Sequence, residues 1–268
     1  VQNNIIITEV YHDEGGPQAI LKASKKFDAI CPHPPIITHN NDRDPERCLR
    51  IGYLSPDFYR NAISQSVLPV LEAHNRDMFE VYGYSNVQQP DRVTHEVKAR
   101  CQHWRQVNTL NNEPLAKLIM EDKIDILIDL AGHTDRNRLT AFAHKPAPIQ
   151  ITWLGLNSTT GLREMDYLLT DAVACPVGEE NLLTETPLRL PKGFYCYRPF
   201  ECTDGDIIAP PLTRHDGIIF GSFNNIAKVS PMTLKLWSKV LNEIPDSRMV
   251  FKGKSFISES TKSGFLDR

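Results

Sequence analysis

The chain has 268 residues, of which 41% are hydrophobic, enough for one large or two small domains with buried cores. Its formal net charge is −3, with 30 Lys and Arg against 33 Asp and Glu, which argues against nucleic acid as a partner. The six cysteines lack the spacing of a zinc site or a disulfide framework, so we expect reduced thiols and a cytoplasmic or nucleocytoplasmic location. No apolar run is long enough for a membrane span, so no membrane association is predicted.

The first 47 residues are mixed in character. A short helical pattern, PQAILKASKKF, is followed by CPHPPIITHNNDRDPE, which is rich in Pro, Asn and Asp. Such a composition is typical of a connecting segment rather than of a packed element. The sequence therefore predicts a linker with a helical lead-in over residues 1–47.

From Leu49 the chain alternates between strand and helix patterns, which is the rhythm of a parallel α/β sheet. The strand patterns are LRIGYL, FEVYGYS, WRQV, IDILIDL, PIQITWLG, DYLLTD and LRLP, and the helix patterns are ISQSVLPVLEAHN, VTHEVKARC and PLAKLIMED. IDILIDL is almost continuously apolar and is bounded by charge, so we expect it to be a central strand buried on both faces. The pattern predicts one α/β lobe over residues 48–212.

A second, smaller unit is predicted after the segment RPFECTDGDIIAPPLTRHDG, which is rich in Pro, Gly and Asp. A strand pattern IIFGSFN, a helix from Pro231 to about Ile244 and a strand pattern RMVFKG follow it. One strand, one helix and one further strand bury too little surface to be stable alone. We therefore expect residues 213–268 to be the truncated start of a second α/β lobe.

Three polar loops follow predicted strands of the first lobe, at the carboxyl ends where open α/β sheets bind ligands. The first holds Asp57 and Asn61 and can be either a ligand loop or a helix-capping turn. The second holds His133, a candidate catalytic residue because histidine exchanges protons near neutral pH, although a lone histidine is more often structural. The third supplies hydroxyls and a flexible glycine that suit a sugar or an ordinary turn: Gly155, Thr159 and Thr160. Together they predict a cleft, with the second and third loops within reach of one bound sugar.

The stretch FGSFNNIAKVSP places Lys228 in a predicted strand-to-helix turn. A cation beside a helix N-terminus favours an anionic ligand, although a solvated surface lysine is the alternative. The motifs GxGxxG, GxxxxGK[ST], HExxH and GxSxG do not occur, which argues against a dinucleotide oxidoreductase, a P-loop NTPase and two hydrolase classes. Amides, hydroxyls, a histidine and this lysine suit group transfer from a phosphorylated donor.

An ordered series of motifs carries a family resemblance: LRIGYLSPDF, FEVYGYSNV, EDKIDILIDLAGHT, KPAPIQITWLG, STTGL, MDYLLTD, CYRP and FGSFNNIAKVSPMTLKLWSKVL. From about Leu49 to Phe265 the chain resembles the catalytic region of the O-linked N-acetylglucosamine transferase and SPINDLY family. The resemblance implies a GT-B fold of two Rossmann-like lobes, with acceptor protein and sugar in the cleft and the nucleotide-sugar held mainly by the second lobe. It also implies tetratricopeptide repeats upstream and no metal cofactor.

The activity implied by this resemblance is inverting transfer of N-acetylglucosamine from UDP-N-acetylglucosamine to Ser or Thr hydroxyls of proteins. GDP-fucose, as in SPINDLY-like members, is the alternative donor. By resemblance, Lys228 contacts the donor diphosphate and both Asn224 and Asn225 belong to the nucleotide-binding turn. Leu154 and Gly155 would face the transferred sugar.

Three departures from the family pattern qualify this activity. Asn61 stands where the family usually has a histidine, and an amide cannot act as a general base near neutral pH. The sequence Gly155-Leu156-Asn157 replaces the family's Gly-Tyr-Pro, and the rest of the second lobe is not in this chain. A degenerate, non-catalytic module that binds protein or nucleotide therefore remains an alternative. We expect the 268-residue chain by itself to transfer no sugar.

Overall fold

The structure, a computed structural model, describes residues 1–12, 14–35, 38–201 and 217–267. It divides into two compact units, of which the first comprises Val1–Glu9 and Pro17–Glu201. The second comprises described residues of Val10–Gly16 and those from 217 onward. The domain boundary predicted between residues 212 and 213 lies outside the described residues.

The first unit is built on a sheet of seven parallel strands. These are β1 (Leu49–Ser55), β2 (Phe79–Ser85), β3 (His103–Gln106), β4 (Ile126–Asp129), β5 (Ile149–Thr152), β6 (Tyr167–Asp171) and β7 (Thr186–Leu190). Their order is β3-β2-β1-β4-β5-β6-β7, and every neighbouring pair is parallel. β4, which contains the apolar run expected to be central, is the middle strand. The predicted parallel α/β fold is confirmed.

Six α-helices accompany this sheet in the described residues. They are α1 (Gln2–Tyr11), α2 (Pro17–Ile30), α3 (Ala62–Ala73), α4 (Arg92–Ala99), α5 (Asn112–Glu121) and α6 (Leu139–Phe142). Side-chain caps begin two of them, since Asn61 accepts from the backbone N–H of Ile63 and Asp91 forms a capping box with Thr94. Such caps satisfy backbone donors that the first turn of a helix leaves unpaired.

The last five residues of β1 and of β2 are buried on both faces, as strands covered by helices require. Tyr53 and Leu54 are neighbours in β1 and each is 2% exposed, yet they belong to two different hydrophobic clusters. The division follows from the alternation of side chains across a strand. The core therefore fixes the strand ends from which the polar loops depart.

The two lead-in helices pack into this core, which corrects the linker interpretation of residues 1–47. Ile6 of α1 and Phe27 of α2 are buried in the same hydrophobic cluster as Leu127 of β4. Arg47 then donates to both carboxylate oxygens of Asp125, just before β4, at 2.7 and 2.5 Å. The helical part of the prediction holds, but these residues form a layer of the unit.

The second unit contains the predicted strand, helix and strand. They are β8 (Ile219–Ser222), α7 (Pro231–Glu243) and β9 (Arg248–Phe251), followed by α8 (Glu259–Leu266), and the two strands pair in parallel. Phe265 of α8 packs edge-on against Phe251 at a centroid distance of 4.9 Å. Across the described parts of both units, no helix has the length and apolar character that crossing a membrane demands.

Candidate active site

A cavity of about 420 Å³ lies at the carboxyl edge of the seven-stranded sheet. We call it the edge cavity, and its lining comes from the loops after β1, β4 and β5 and from the first turn of α3: Pro56, Asp57, Tyr59, Asn61, Ile63, Thr134, Asp135, Arg136 and Gly155. Parallel strands end at the same edge, which brings these loops together. The sequence prediction that the three loops meet at one cleft agrees with this arrangement.

The loop after β1 holds Asp57 firmly at the cavity wall. Its backbone N–H donates to Ser55 Oγ at 2.9 Å, and its carbonyl accepts from Ser64 Oγ at 2.8 Å. The next residue, Phe58, is fully buried. The side-chain amide of Asn61 donates to Asp57 Oδ1 at 3.2 Å. Asp57 is thus anchored on both sides, and its carboxyl group is held by the amide.

The surroundings of Asp57 raise its pKa to about 6. Burial is the largest cause, because it penalises the charged carboxylate, and the carboxylates of Asp135 and Asp129 act in the same direction. The guanidinium of Arg136 opposes them. The edge cavity therefore contains a carboxyl group that changes protonation close to neutral pH.

Asp129, at the end of β4, fixes the backbone of the loop that follows this strand. It is 1% exposed and accepts from the backbone N–H groups of Ala131 at 3.1 Å and Gly132 at 2.8 Å, and from Thr152 Oγ1 at 2.9 Å. Burial raises its pKa to about 6. The carboxyl group holds the turn after β4, and the loop reaches the cavity at Thr134, five residues after Asp129.

The turn after β5 closes the cavity with main chain. Leu154 and Gly155 both have positive φ, at 64° and 57°. A Cβ atom on Gly155 would lie 2.2 Å from the carbonyl oxygen of Ala131, so no larger residue fits. Gly155 lines the cavity. Its contact with the transferred sugar stays a prediction. Leu154 was expected to face the sugar, but it is 2% exposed and packs in the core, so it does not face the cavity.

His133 does not lie at the cavity surface, which corrects its assignment as a catalytic residue. Its side chain is buried, with Nε2 2.8 Å from the carbonyl oxygen of Thr160 and Nδ1 2.8 Å from Asn3 Oδ1. Burial lowers its pKa to about 4, and its ring packs edge-on against Phe27. The second and third loops do meet here, as predicted, but the histidine joins them to the lead-in helices.

Thr159 and Thr160 are also used internally, which corrects their assignment to sugar binding. Both hydroxyls donate to the buried carboxylate of Glu185, from Thr159 at 2.7 Å, and the backbone N–H of Thr160 donates to it at 2.7 Å. Sequence reasoning missed Glu185 because it precedes a strand pattern in TETPLRL, where a charged residue looks like an exposed boundary. An acidic residue flanked by two threonines was the available signal.

The turn that carries Lys228 lies in the second unit, between β8 and α7 as predicted. It contains a 3₁₀ turn, Ile226–Lys228, begun by Asn225, whose side chain accepts from the backbone N–H of Ala227 at 3.1 Å. Asn224, Asn225 and Lys228 are all exposed. Their contact with a donor nucleotide stays a prediction.

One group of potential metal ligands occurs in the described residues, formed by Asp28, His33 and Glu164. Arg163 already binds the Asp28 carboxylate, with Nη2 2.6 Å from Oδ2. His33 contacts Glu164 Oε1 at 2.9 Å and the carbonyl oxygen of Asp28 at 2.7 Å. The group is an internal ion-pair network that ties α2 to the loop before β6.

The profile of glycosyl transferase family 41 matches residues 22–198, which include the whole edge cavity. The chain belongs to glycosyl transferase family 41. Within this family it is 37% identical to the probable UDP-N-acetylglucosamine--peptide N-acetylglucosaminyltransferase SPINDLY of Arabidopsis thaliana, over 98% of this chain and 29% of that protein. It is 36% identical to the UDP-N-acetylglucosamine--peptide N-acetylglucosaminyltransferase of Caenorhabditis elegans, over 55% of this chain and 13% of that protein.

A solved structure of this kind is also similar. The structure of a lysine-to-methionine mutant of Thermobaculum terrenum O-GlcNAc transferase matches with a TM-score of 0.89 and 33% identity, over 99% of this chain and 51% of that chain. The chain spans less than a third of the curated relatives named above and about half of the solved chain. The predicted resemblance is confirmed.

Proposed function

We propose that the full-length gene product is a protein O-glycosyltransferase that transfers N-acetylglucosamine from UDP-N-acetylglucosamine to Ser or Thr hydroxyls. The observation that carries this proposal is the likeness to the solved O-GlcNAc transferase over 99% of the chain. The names of the SPINDLY and nematode relatives, both UDP-N-acetylglucosamine--peptide N-acetylglucosaminyltransferases, support the same donor and a peptide acceptor. Upstream tetratricopeptide repeats, a cytoplasmic location and independence of metal are parts of this proposal taken from the family resemblance.

The edge cavity would receive the acceptor side chain. Its polar lining comes from short loops anchored to a rigid sheet, an arrangement that holds reactants in a fixed geometry. Gly155 lines the cavity, so its main chain would lie beside the transferred sugar. The reaction would join the acceptor oxygen to the anomeric carbon and release the nucleoside diphosphate.

The turn between β8 and α7 would hold the donor diphosphate. Lys228 supplies a cation, and the first turn of the 13-residue helix α7 lies three residues further along the chain. A lysine that neutralises charge on the departing diphosphate lowers the barrier, because the charge-assisted hydrogen bond is worth about 1.5–3 kcal/mol. Asn224 and Asn225 would contact the nucleotide from the same turn.

A transfer assay with two donors tests the proposal. The full-length product is incubated with UDP-N-acetylglucosamine or GDP-fucose and with a peptide mixture that has a fixed central serine, with and without EDTA. Mass spectrometry is expected to find N-acetylglucosamine on the serine, unaffected by EDTA. If only fucose were transferred, the donor would be GDP-fucose and not UDP-N-acetylglucosamine. Binding of both donors without transfer or hydrolysis would indicate the non-catalytic module.

Replacement of Lys228 tests the donor half of the site. Lys228→Ala keeps the turn but removes the charge, so we expect kcat to fall about 10²- to 10³-fold. Lys228→Arg should restore only part of it, since a planar guanidinium does not replace a compact ammonium. Lys239→Ala, on the exposed side of α7, is the matched control and should leave the rate unchanged. Equal rates for wild type and Lys228→Ala would make this residue a surface lysine.

A further inference from the structure

The edge cavity lacks the histidine that the family resemblance leads one to expect at position 61, and a carboxyl group lies beside the amide that replaces it. Asn61 Nδ2 is 3.2 Å from Asp57 Oδ1. Both residues line the cavity. We propose that Asp57 is the general base that takes the proton from the acceptor hydroxyl, and that Asn61 is the residue that positions it. This inference rests on the proposed function and adds a proton acceptor to it.

The orientation of Asn61 is set by hydrogen bonds on both ends of its amide. Its Oδ1 accepts from the backbone N–H of Ile63 at 2.9 Å, as the N-cap of α3, so Nδ2 must point the other way. That nitrogen donates to Asp57 Oδ1 and lies 3.2 Å from Tyr59 Oη. The cap therefore directs one oxygen of Asp57 to the amide. Among the described residues the other oxygen, Oδ2, has no hydrogen-bond partner and is available to an acceptor.

The electrostatic surroundings suit a base at neutral pH. The pKa of Asp57 is about 6, raised by burial and by the carboxylates of Asp135 and Asp129, with Arg136 as the opposing charge. An ordinary carboxyl group with a pKa near 4 is fully ionised at pH 7 but is a weak base. A carboxyl group with a pKa of about 6 is still mostly ionised and accepts a proton more readily, which is the balance that general-base catalysis requires.

The step is balanced without any further reactant. The acceptor hydroxyl oxygen attacks the anomeric carbon, and the bond from that carbon to the phosphate oxygen breaks, with its electron pair leaving on the diphosphate. The hydroxyl proton passes to Asp57 Oδ2. Asp57 returns this proton to water after the glycosylated product leaves, so the carboxylate is regenerated.

Asp57→Asn in the full-length product tests the base, with UDP-N-acetylglucosamine and the fixed-serine peptide mixture as substrates. General-base catalysis typically contributes 10²- to 10⁴-fold, so we expect kcat to fall by about that factor. The KM for the donor should stay within about twofold, and the acidic limb of the kcat/KM profile near pH 6 should disappear. Asp77→Asn, on the exposed turn before β2, is the control with unchanged activity.

A second variant gives a reading even if Asp57→Asn does not fold. Asp135→Asn removes a neighbouring negative charge, so the acidic limb of kcat/KM should move to lower pH while the enzyme stays active. Asn61→Ala should lower kcat about tenfold, and Asn61→Gln should not restore it because the longer amide cannot cap α3.

Wild-type turnover together with an unchanged rate and pH profile in Asp57→Asn would overturn the inference and leave the proposed function intact. Absence of turnover in wild type would overturn the proposed function itself.

Discussion

The loops after β1 and β5 leave the same edge of one sheet but use their polar side chains in opposite ways. After β1, Asp57 accepts from an amide at one carboxylate oxygen and lines the cavity, and its other oxygen has no hydrogen-bond partner among the residues that the structure describes. After β5, the hydroxyls of Thr159 and Thr160 are bonded to buried Glu185. Both loops look like ligand loops in the sequence. The comparison teaches that hydrogen-bonding capacity left unused, rather than residue type, distinguishes a site from a structural turn.

The largest effect expected from this comparison is the fall in the free energy of unfolding when the buried carboxylate of Glu185 is removed. Glu185→Ala leaves the buried backbone N–H and hydroxyl of Thr160 without their acceptor and takes one partner from the Thr159 hydroxyl, so the free energy of unfolding should fall by about 3 kcal/mol. Glu179→Ala removes an exposed carboxylate nearby and should change it by less than about 0.5 kcal/mol. Urea unfolding monitored by circular dichroism measures both. Similar losses in the two variants would break the distinction between saturated and open polar groups.

The next effect concerns the pH dependence that buried His133 confers. Its folded pKa of about 4 lies below the unfolded value of about 6.5, so the unfolded chain binds the proton first as pH falls. This stability contribution is complete well above pH 6.5 and is lost as pH falls toward 4, by about 1.6 kcal/mol between pH 6.5 and pH 5. Unfolding free energies at several pH values measure this loss. His133→Gln should flatten the slope, whereas His95→Gln, at an exposed position, should not.

A smaller effect concerns Asn61 in the loop after β1, which both caps α3 and positions Asp57. Asn61→Ala removes the cap of α3 and should lower the free energy of unfolding by about 1 kcal/mol. Asn61→Asp keeps a capping oxygen and should leave stability within a few tenths of a kcal/mol. Thermal melting compares the two. A loss of 3 kcal/mol or more in Asn61→Ala would mean that this loop is as tightly integrated as the one after β5.

The smallest effect has the opposite sign to that of His133. His33 bonds to Glu164 and to the carbonyl of Asp28, acceptors that favour its protonated form, and its pKa is raised. Its contribution is complete below the unfolded pKa of about 6.5 and is lost as pH rises through the folded pKa. We expect only about 0.5–1 kcal/mol, because the ring is partly exposed. If His33→Gln left the free energy of unfolding above pH 6.5 unchanged, the ion-pair network would contribute nothing measurable to stability.

Much of the architecture could be predicted from local pattern. The apolar run in β4 marked the middle strand, and polar residues directly after strands marked the edge of the sheet. The partners of the polar residues could not be predicted, because they are distant in sequence: His133 contacts Asn3 across 130 residues, and Thr160 contacts Glu185 across 25. Local periodicity carries no information on such pairs. This is why His133, Thr159 and Thr160 were misassigned.

Photo-crosslinking of an acceptor peptide tests most directly whether the edge cavity is the acceptor site. The best substrate from the fixed-serine mixture would carry a photoreactive residue next to the serine, and crosslinks to the full-length product would be located by mass spectrometry in the presence of UDP. We predict crosslinks on the cavity loops, at Tyr59 or Asp135, and none at residues 158–161. Crosslinks confined to other surfaces of the first unit, in a protein that still transfers sugar, would contradict the account.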